Sequence, residues 1–425
     1  MDHDFASQQV MDVDTGFLQV RILSAYTYRP VSGALVEITP TAGTAFWEPD
    51  LTLDEISTDT SGLTEMLPLP APPVRYSMAS SDIQPYSQFQ LRITASGYEP
   101  LNIIGTSIFA NEEAIQPVIL RPLEASEELN PTIIIPNNTL FGDFPPKIAE
   151  AEIKPIAESE EMALSRIVIP ETIVVHDGTP ANASARNYIV PYKDYIKNVA
   201  SCGIYSTWPR AALTANILAV MSFTLNRVYT EWYRNKGYDF TITSSSAHDQ
   251  KWVYGRNIFD NISEIVDEIF TSYLSRPDVR QPIFTQSCDG RRVSCPNWLS
   301  QWGSRDLGEQ GYSAIEILRS FYGDSIYINT AEEISGIPYS SPVTNLDIGS
   351  SGQKVSLLQE QLNTIGTAYP SLPSLVVDEL YGENVQNAVR QFQSIFGLPA
   401  TGITDFAAWF KISEIYRTVT RRTGI

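Results

Sequence analysis

The sequence predicts a multidomain α+β protein made of an N-terminal β-sandwich, a central α+β domain and a C-terminal three-helix bundle. Short segments of alternating apolar and polar residues, separated by turn residues, fill the first part of the chain and are typical of β-strands. Apolar residues at helical spacing occur in the middle of the chain, and three short amphipathic segments occur near its end. The length of 425 residues is enough for about three domains of ordinary size.

The first domain is predicted over residues 16–122. The segments "GFLQVRIL" and "ALVEITP" alternate apolar and polar residues, and "STDTSG" has the Asp-x-x-Gly pattern of a tight turn. Several short strands with turns between them indicate a small β-sandwich. The order of strand, Pro-Val-x-Gly-Ala, strand and Thr-Asp-x-x-Gly resembles the transthyretin-like or carboxypeptidase-regulatory-like β-sandwich, which implies a spacer or adhesion role.

Residues 123–165 combine proline, asparagine and an acidic excess, which is typical of a linker. Its segment "TIII" is a candidate for a short strand that docks on a neighbouring domain.

The second domain is predicted over residues 166–330. The segment "SRIVIPETIVVHDG" indicates strands, and the stretch after "DYIKNVASCG" indicates a turn followed by a long helix. That helix is expected to begin at Trp208-Pro209, because proline is well tolerated in the first turn. Its stripe through Leu213, Ile217 and Met221 is expected to lie in the core. Two more helices are predicted in "NISEIVDEIFTSYL" and "SAIEILRSFYG".

A second linker, residues 331–344, precedes the third domain, which is predicted over residues 345–425. The segments "VSLLQEQLNTIG", "NVQNAVRQFQSIFG" and "TDFAAWFKISEIY" each have apolar residues at helical spacing, and Gly397 can end the second helix. These segments predict the three-helix bundle.

The overall charge argues against a nucleic-acid partner. The chain has 49 acidic and 29 basic residues and a formal charge of -20. Proteins that bind nucleic acid need basic patches, so no nucleic-acid partner is expected.

No segment reaches the roughly 20 apolar residues of a membrane span. The N-terminal residues lack the basic and apolar regions of a signal peptide, so any export route is one that the sequence does not show.

The third domain carries a specific motif. "KVSLLQEQLNTIG" and "VVDELYGENVQNAVRQFQSIFGLPATG" contain Val-x-x-Leu-Gln-x-x-Leu, Val-Asp-x-x-Tyr-Gly and Ala-Val-x-x-Phe-Gln, followed by a tryptophan. This pattern resembles the peptidoglycan-binding type 1 module and departs from it at Glu379, where the family usually has glycine, and at Val385, where it usually has threonine. The resemblance implies binding to cell-wall glycopeptide.

Three residues keep the pattern of this module and are candidates for peptidoglycan binding: Asp378, Tyr381 and Gln393. Tyr381 could stack on a sugar face, and Asp378 could accept hydrogen bonds. Alternatively, Asp378 and Gly382 only shape the loop between two helices.

The second domain also carries motifs. Three stretches, "YIKNVASCGIYSTWPRAALTAN", "AHDQKWVYGRN" and "LSQWGSRDLGEQGYSAIEILRSFYG", resemble the stage II sporulation protein D family of lytic transglycosylases. The resemblance implies a cleft that holds glycan strands. The candidates for lining it are Tyr205, Trp208, Gln250, Tyr254, Ser300, Gln301, Trp302 and Tyr322.

The catalytic acid of that family is missing. The family uses one glutamic acid to protonate the glycosidic oxygen and then to assist attack by the sugar's own hydroxyl. At the matching position this chain has Gly203, and Met221 stands where many members have arginine. No catalytic residue is therefore named. Other acids could substitute or could be solvated or capping residues: Asp194, Glu231, Asp249, Asp306 and Glu309.

The cysteines allow two interpretations. Cys288 and Cys295 could form a disulfide or remain paired thiols, or they could bind zinc together with His248. The chain has only three histidines, one of them His3, and two cysteines with His248 alone would leave a tetrahedral site one ligand short. Cys202 is a nucleophile type, but no histidine lies near it in the sequence. Apart from such a zinc ion, no cofactor is expected.

The combined expectation is a cell-wall or spore-associated protein that binds or organises peptidoglycan glycan strands and whose transglycosylase-like domain is degenerate. Two alternatives stay open. One is an active lytic transglycosylase with a displaced acid, and the other is a structural component of a spore or phage-tail-like particle, assembled with other wall or particle proteins.

Overall fold

The structure is a computed structural model that describes residues 13–41, 54–123, 131–141, 144–154, 167–331, 333–335, 342 and 344–423, with the backbone alone for 421–423. Across these residues the protein is mixed α+β, with eight α-helices and six sheets. His3 lies outside the described residues.

The N-terminal part forms strands where the alternation predicts them. In β1 every second side chain is buried, including Leu18, Val20 and Ile22. The "STDTSG" turn is held by the Asp59 carboxylate, which accepts hydrogen bonds from the amides of Ser61 (2.8 Å) and Leu63 (3.0 Å). The strands are β1 (Asp14–Ser24), β2 (Leu35–Pro40), β3 (Asp54–Ser57), β4 (Leu67–Ala71), β5 (Ser87–Thr94), β6 (Leu101–Ile108) and β7 (Glu113–Leu120).

These strands belong to two sheets that also recruit strands from later in the chain. The segment "TIII" contributes β8 (Thr132–Ile134), which pairs in parallel with β6 at the edge of the sheet β3-β2-β5-β6-β8. The short strand β13 (Ile258–Phe259) pairs antiparallel with β7 and completes the sheet β13-β7-β1-β4. The N-terminal sheets are thus built partly from the predicted linker and the predicted central domain.

The central part combines small sheets with five helices. Its main sheet has the order β11-β10-β12. The strands are β9 (Val168–Ile169), β10 (Thr172–His176), β11 (Asn187–Pro191), β12 (Ile242–Thr243), β14 (Ser272–Ser275), β15 (Ser287–Cys288), β16 (Leu299–Ser300), β17 (Tyr327–Thr330) and β18 (Glu333–Ile334). The helices are α1 (Tyr192–Gly203), α2 (Arg210–Tyr229), α3 (Asp260–Ile269), α4 (Gln301–Glu309) and α5 (Ala314–Tyr322).

The sequence predicted one long helix here after a turn, and the structure has two helices. The segment before the predicted turn is itself the helix α1, in which ten of the twelve residues are buried. The long helix α2 begins directly after Pro209, and its stripe through Leu213, Ile217 and Met221 is buried as predicted. By length and hydropathy α2 is the one helix of the described chain that could cross a membrane, but 78% of its apolar window is buried inside the protein.

The C-terminal part is the predicted set of three helices, α6 (Gln353–Gly366), α7 (Glu383–Phe396) and α8 (Phe406–Thr423). Leu358, Phe392 and Trp409 are buried in its core. Gly397 ends α7 with a left-handed φ of 67°, a conformation that glycine adopts without a Cβ clash.

The C-terminal helices pack directly on the rest of the protein. The ring of Phe270 lies 5.5 Å from that of Phe406, and the Arg21 guanidinium donates a hydrogen bond to the Ile395 carbonyl at 3.0 Å. The Lys193 ammonium lies 2.9 Å from the Glu414 carboxylate, with both side chains largely buried. These contacts hold the three-helix bundle against the other two parts.

Candidate functional site

The three central motifs converge at the end of α1. Gly203 is the last residue of that helix, and its carbonyl accepts a hydrogen bond from Nε2 of Gln301 at 2.7 Å. Gln250 lies nearby, where its Oε1 accepts hydrogen bonds from the hydroxyls of Tyr195 (3.1 Å) and Thr224 (3.0 Å). Segments far apart in sequence therefore meet around one point.

The space at this point is a small cavity of about 50 Å³, lined by Gly203, Gln250 and Gln301 among others. Small-molecule sites are typically about 300–1,000 Å³, so a sugar ring does not fit here as the residues stand. No carboxylate from the described residues lines the cavity, and its two charged lining residues are Lys147 and Lys251.

The predicted linker closes the cavity from outside. The amide of Asn138 contacts the Ser201 carbonyl at 3.5 Å, and the Thr139 hydroxyl donates to the Cys202 carbonyl at 3.2 Å. Asn138, Thr139 and Leu140 are buried. We call residues 131–141 and 144–154 the strap, because they cross the end of α1 and contribute Thr139, Phe144 and Lys147 to the cavity wall.

The electrostatics at the cavity are basic. Burial lowers the pKa of the Lys147 ammonium to about 8, Asp249 partly opposes this shift and Arg227 adds to it. Its Nζ donates to the Asp249 carbonyl at 2.8 Å. Burial also lowers the pKa of Lys251. An ammonium can hold an anion, but it does not replace the carboxylic acid that glycoside cleavage needs.

The substitute acids from the sequence lie elsewhere. Asp249 is fully buried in an ion pair with Nε of Arg227 at 2.7 Å, and it also accepts hydrogen bonds from the Tyr233 hydroxyl (2.7 Å) and the Thr243 amide (2.9 Å). These partners saturate its oxygens and give it a structural role.

The remaining candidates are also outside the cavity lining. Asp306 pairs with Arg291 at 2.6 Å and with Arg305 at 2.9 Å. Asp194 and Glu309 are exposed, and Glu231 follows the end of α2. Burial raises the pKa of the Cys202 thiol, which disfavours the thiolate that a nucleophile would need.

Three of the aromatic cleft candidates pack against one another. The ring centroids of Tyr205 and Trp208 are 5.7 Å apart, and those of Trp208 and Trp302 are 5.1 Å apart. All three side chains are buried, and Nε1 of Trp208 donates to the Ser77 carbonyl at 3.0 Å. Tyr322 is also buried. Their rings are covered by neighbouring groups, so stacking on a sugar would require the core to open.

Two further candidates have local structural partners. The Ser300 hydroxyl caps α4 by accepting a hydrogen bond from the Gly303 amide at 2.9 Å. Tyr254 differs from the other aromatic candidates because it is 44% exposed. Its ring is stacked on that of Tyr188 with a centroid distance of 4.9 Å.

Cys288 and Cys295 are joined in a disulfide with a Cα–Cα distance of 5.7 Å. The Asp289 carboxylate closes the loop between them by accepting hydrogen bonds from the amides of Arg292 and Val293, both at 2.9 Å. Zinc binding by these cysteines is therefore wrong for this structure, because a disulfide offers no thiolate. Nor do the described residues contain a cluster of three or more metal-ligating side chains.

The three candidates in the C-terminal part hold its loops. Asp378 accepts hydrogen bonds from the Gln359 amide (2.8 Å) and the Leu380 backbone (3.0 Å). The buried Tyr381 donates to the Gly402 carbonyl at 3.0 Å, and the buried Gln393 accepts from the Gly402 amide at 2.7 Å. For Asp378, these contacts fit the alternative in which this residue only shapes the loop between two helices.

Apolar side chains that the motif did not single out are exposed around the same loop. Val376 is 78% exposed and Leu380 is 59% exposed, and Ile348 and Val377 are exposed as well. The isolated bridge between Ser351 and Leu380 brings the 348–351 turn beside this loop. We call Ile348, Val376, Val377 and Leu380 the apolar rim.

Glu379, the departure from the family pattern, has a left-handed φ of 64°. That conformation costs a residue with a Cβ about 1–2 kcal/mol, and glycine avoids this cost but loses more entropy on folding. We expect Glu379→Gly to raise the free energy of unfolding by about 0.5–1 kcal/mol, measured by thermal or urea unfolding.

The matched control is Glu383→Gly in the first turn of α7, where the backbone is helical. This control should lose up to about 1 kcal/mol, because glycine is a poor helix former. An equal loss in both variants would contradict the strain assigned to Glu379.

Comparison with known proteins identifies the C-terminal part. Residues 351–411 match the family described as "Putative peptidoglycan binding domain". The match supports binding of cell-wall glycan by this segment and association of the protein with the cell wall. A search of curated proteins finds no match.

Solved structures give only weak likenesses. The minor pilin of Streptococcus agalactiae is 14% identical, with 27% of this chain and 47% of that chain covered and a TM-score of 0.18. The 3-chlorocatechol 1,2-dioxygenase of Rhodococcus opacus is 13% identical, with 27% and 63% covered and a TM-score of 0.19. The chain thus spans about half to two thirds of the length of these proteins, and likenesses at these TM-scores carry no argument about fold or function.

Proposed function

We propose that this protein binds peptidoglycan through its C-terminal domain and does not cleave it, because its central domain is a transglycosylase-like fold without the catalytic acid. The protein would retain or organise wall glycan rather than turn it over. The family match of residues 351–411 carries the proposed binding, and the cavity beside Gly203, lined by two lysines and by no described carboxylate, carries the proposed lack of cleavage.

General acid catalysis of glycoside cleavage needs a carboxyl group within hydrogen-bonding reach of the glycosidic oxygen. At Gly203 that group is absent, and the nearby Asp249 is committed to Arg227 and Tyr233. The cavity is also too small for a sugar ring while the strap is in place. Missing acid and missing space both oppose turnover at this position.

For wall binding, the apolar rim is the surface that the C-terminal domain offers. Asp378, Tyr381 and Gln393 form hydrogen bonds within the neighbouring loops. Their part in binding is therefore to hold the apolar rim in shape. Contiguous exposed apolar side chains on a folded protein commonly mark an interaction site. The sugar CH faces and the alanine methyl groups of wall glycopeptide suit such a surface.

Co-sedimentation of the full chain with purified sacculi tests this binding. We expect the double variant Val376→Asp/Leu380→Asp to lower the sedimented fraction about tenfold, because each change removes exposed apolar contact area and adds a hydrated charge. Both side chains are mostly exposed, so the fold should be unaffected and the unfolding transition unchanged.

The matched control is Ile83→Asp, which makes the same kind of apolar-to-acidic change at an exposed residue (51%) in the N-terminal part. It should sediment like the unchanged protein. If the double variant also sediments normally, the apolar rim is not the wall-binding surface. If the unchanged protein stays in solution, the proposed function itself fails.

A further inference from the structure

A groove of about 860 Å³ lies where the N-terminal sheets, the strap and the central domain meet. Leu101 and Arg121 line it from the N-terminal part, Ile134 from β8, and Tyr188 and Tyr254 from the central part. It shares Thr139, Ser246 and Lys251 with the small cavity beside Gly203. Unlike that cavity, its volume lies within the range of ligand sites.

The groove contains an aromatic platform. Tyr188 and Tyr254 are stacked with ring centroids 4.9 Å apart, and Trp252 lies 5.3 Å from Tyr188. The outer position of Tyr254, which is 44% exposed, leaves a ring face for a ligand. An exposed aromatic face of this kind pairs with flat apolar surfaces, including the CH face of a pyranose ring.

The charges of the groove oppose those of the whole protein. Three basic residues line it, Arg121, Arg186 and Lys251, against the two acids Glu99 and Asp177. The chain overall carries a charge of -20. Neither Arg121 nor Arg186 forms an ion pair with a carboxylate from the described part of the chain, so both guanidinium groups are available to an anion.

The two features lie side by side. The Arg186 guanidinium carbon lies 5.9 Å from the centroid of the Tyr188 ring. Burial raises the pKa of the Tyr254 hydroxyl and Tyr188 adds to this, whereas the nearby Arg121 and Arg186 oppose it. Ser244, Ser245 and Ser246 line the same groove and provide hydroxyl groups that suit sugar hydroxyls.

We propose that this groove binds an acidic saccharide, with the exposed face of Tyr254 stacked on a pyranose ring and Arg121 and Arg186 paired with its carboxylate. The inference rests on the proposed function for the source of the saccharide, which would be wall glycan with its lactyl carboxylates. It adds a second binding site, to which the N-terminal part contributes.

Isothermal titration of the full chain with three tetrasaccharides tests the proposal. The probes are a peptide-free N-acetylglucosamine–N-acetylmuramic acid tetrasaccharide, tetragalacturonate as another acidic saccharide, and chitotetraose as a neutral one. All are titrated into the Val376→Asp/Leu380→Asp variant, so that binding by the C-terminal domain is removed. We expect the muramic probe to bind and chitotetraose to bind about tenfold more weakly, the size of one charge-assisted contact.

Two variants assign the binding to the groove. Tyr254→Ala should weaken the muramic probe about tenfold, and Arg186→Ala should weaken it by a similar factor while abolishing its preference over chitotetraose. The matched controls are Tyr312→Ala, a tyrosine of similar exposure (42%) outside the groove, and Arg29→Ala, an exposed arginine of the N-terminal part. Neither control should change binding.

Each other outcome is decisive. Equal binding of the neutral and acidic probes, or unchanged binding in Tyr254→Ala, overturns the proposal. Binding of tetragalacturonate but not of the muramic probe retains an acidic-saccharide groove and rejects wall glycan as its source. Sedimentation with sacculi that persists while the groove fails leaves the proposed function intact and removes only the second site.

Discussion

Replacing Asp267 with alanine is expected to lower the free energy of unfolding by about 3–5 kcal/mol, the cost of leaving buried charges without their partner. Asp267 lies at the end of α3 with its side chain almost completely buried. One of its oxygens lies 3.0 Å from Lys193 Nζ and the other 2.6 Å from Lys197 Nζ. Alanine would leave the buried Lys197 ammonium on α1 without its carboxylate partner and would leave Lys193 with Glu414 alone.

The protonation equilibria describe the same cluster. Burial alone would raise the pKa of the Asp267 carboxyl, but Lys193 and Lys197 outweigh it and hold that pKa well below its usual range. Lys193 also has Glu414, and the two carboxylates raise its pKa against the effect of burial. Lys197 has one carboxylate, and burial together with the charges of Lys411 and Lys193 lowers its pKa.

The sign of the pH dependence follows from the depressed pKa of Asp267. The stabilisation is fully present above the unfolded-state pKa of about 4, and it is lost as the pH falls below that value toward the folded-state pKa. Denaturant unfolding of the unchanged protein at pH 7 and pH 3 should therefore show a loss of stability that is reduced in Asp267→Ala by the contribution of this one carboxyl, while Glu414 still contributes.

The matched control is Glu268→Ala, one residue along the chain. Glu268 forms an exposed pair with Arg210 at 2.7 Å. Exposed pairs contribute about 0–1 kcal/mol, so this variant should unfold close to the unchanged protein. If Asp267→Ala behaves like Glu268→Ala, the buried cluster does not stabilise the fold.

The same cluster ties the wall-binding domain to the rest of the protein. Lys193 contacts Asp267 of α3 and Glu414 of α8 at once, and Phe270 packs against Phe406 and Phe410. The C-terminal domain therefore sits at a fixed position relative to the groove.

Much of the fold could be predicted from local pattern. Strand alternation and helical spacing located β1, α2 and the three C-terminal helices, because each buries one face whose period is visible in the sequence. The docking of β8 was expected from the segment "TIII", whereas the pairing of β13 with β7 was not predicted. Such pairing depends on long-range contacts that leave no period in the sequence.

The structure brings three of the candidate residues together, but it buries aromatic candidates that were expected to face a ligand. In the structure Gly203, Gln250 and Gln301 line the same small cavity. The aromatic residues Tyr205, Trp208 and Trp302 were expected at a ligand surface, yet they are buried. Pattern alone does not distinguish an aromatic side chain that forms a core from one that faces a ligand.

Beyond the segment "TIII" and the candidate Tyr254, no sequence pattern indicated the strap over the end of α1 or the groove. Residues 131–154 resemble a linker in composition, and only the fold shows that Thr139 bonds to the end of α1. Tyr188 lies on a strand that carries no motif. Its ring stacks on that of Tyr254, which is more than sixty residues away in the sequence. The pairing of exposed Tyr254 with arginines was therefore visible only in three dimensions.

Placing a glutamate at position 203 separates the two obstacles to catalysis, the missing acid and the missing space. A Cβ at Gly203 would lie 3.4 Å from Gln301 Nε2, an ordinary contact, and unfolding curves check that Gly203→Glu and its neutral control Gly203→Gln both fold with the longer side chains. We expect Gly203→Glu to remain inactive, because the cavity of about 50 Å³ admits no sugar ring. Activity in Gly203→Glu alone would show that the strap opens and that the acid was the sole missing element.

The most direct test of binding without cleavage is to incubate the unchanged chain with purified, intact sacculi and to analyse both the pellet and the soluble fraction by mass spectrometry. We predict that the protein sediments with the sacculi while 1,6-anhydro-muramyl ends stay at the level of a protein-free control. Anhydro ends that increase with protein concentration would contradict the account.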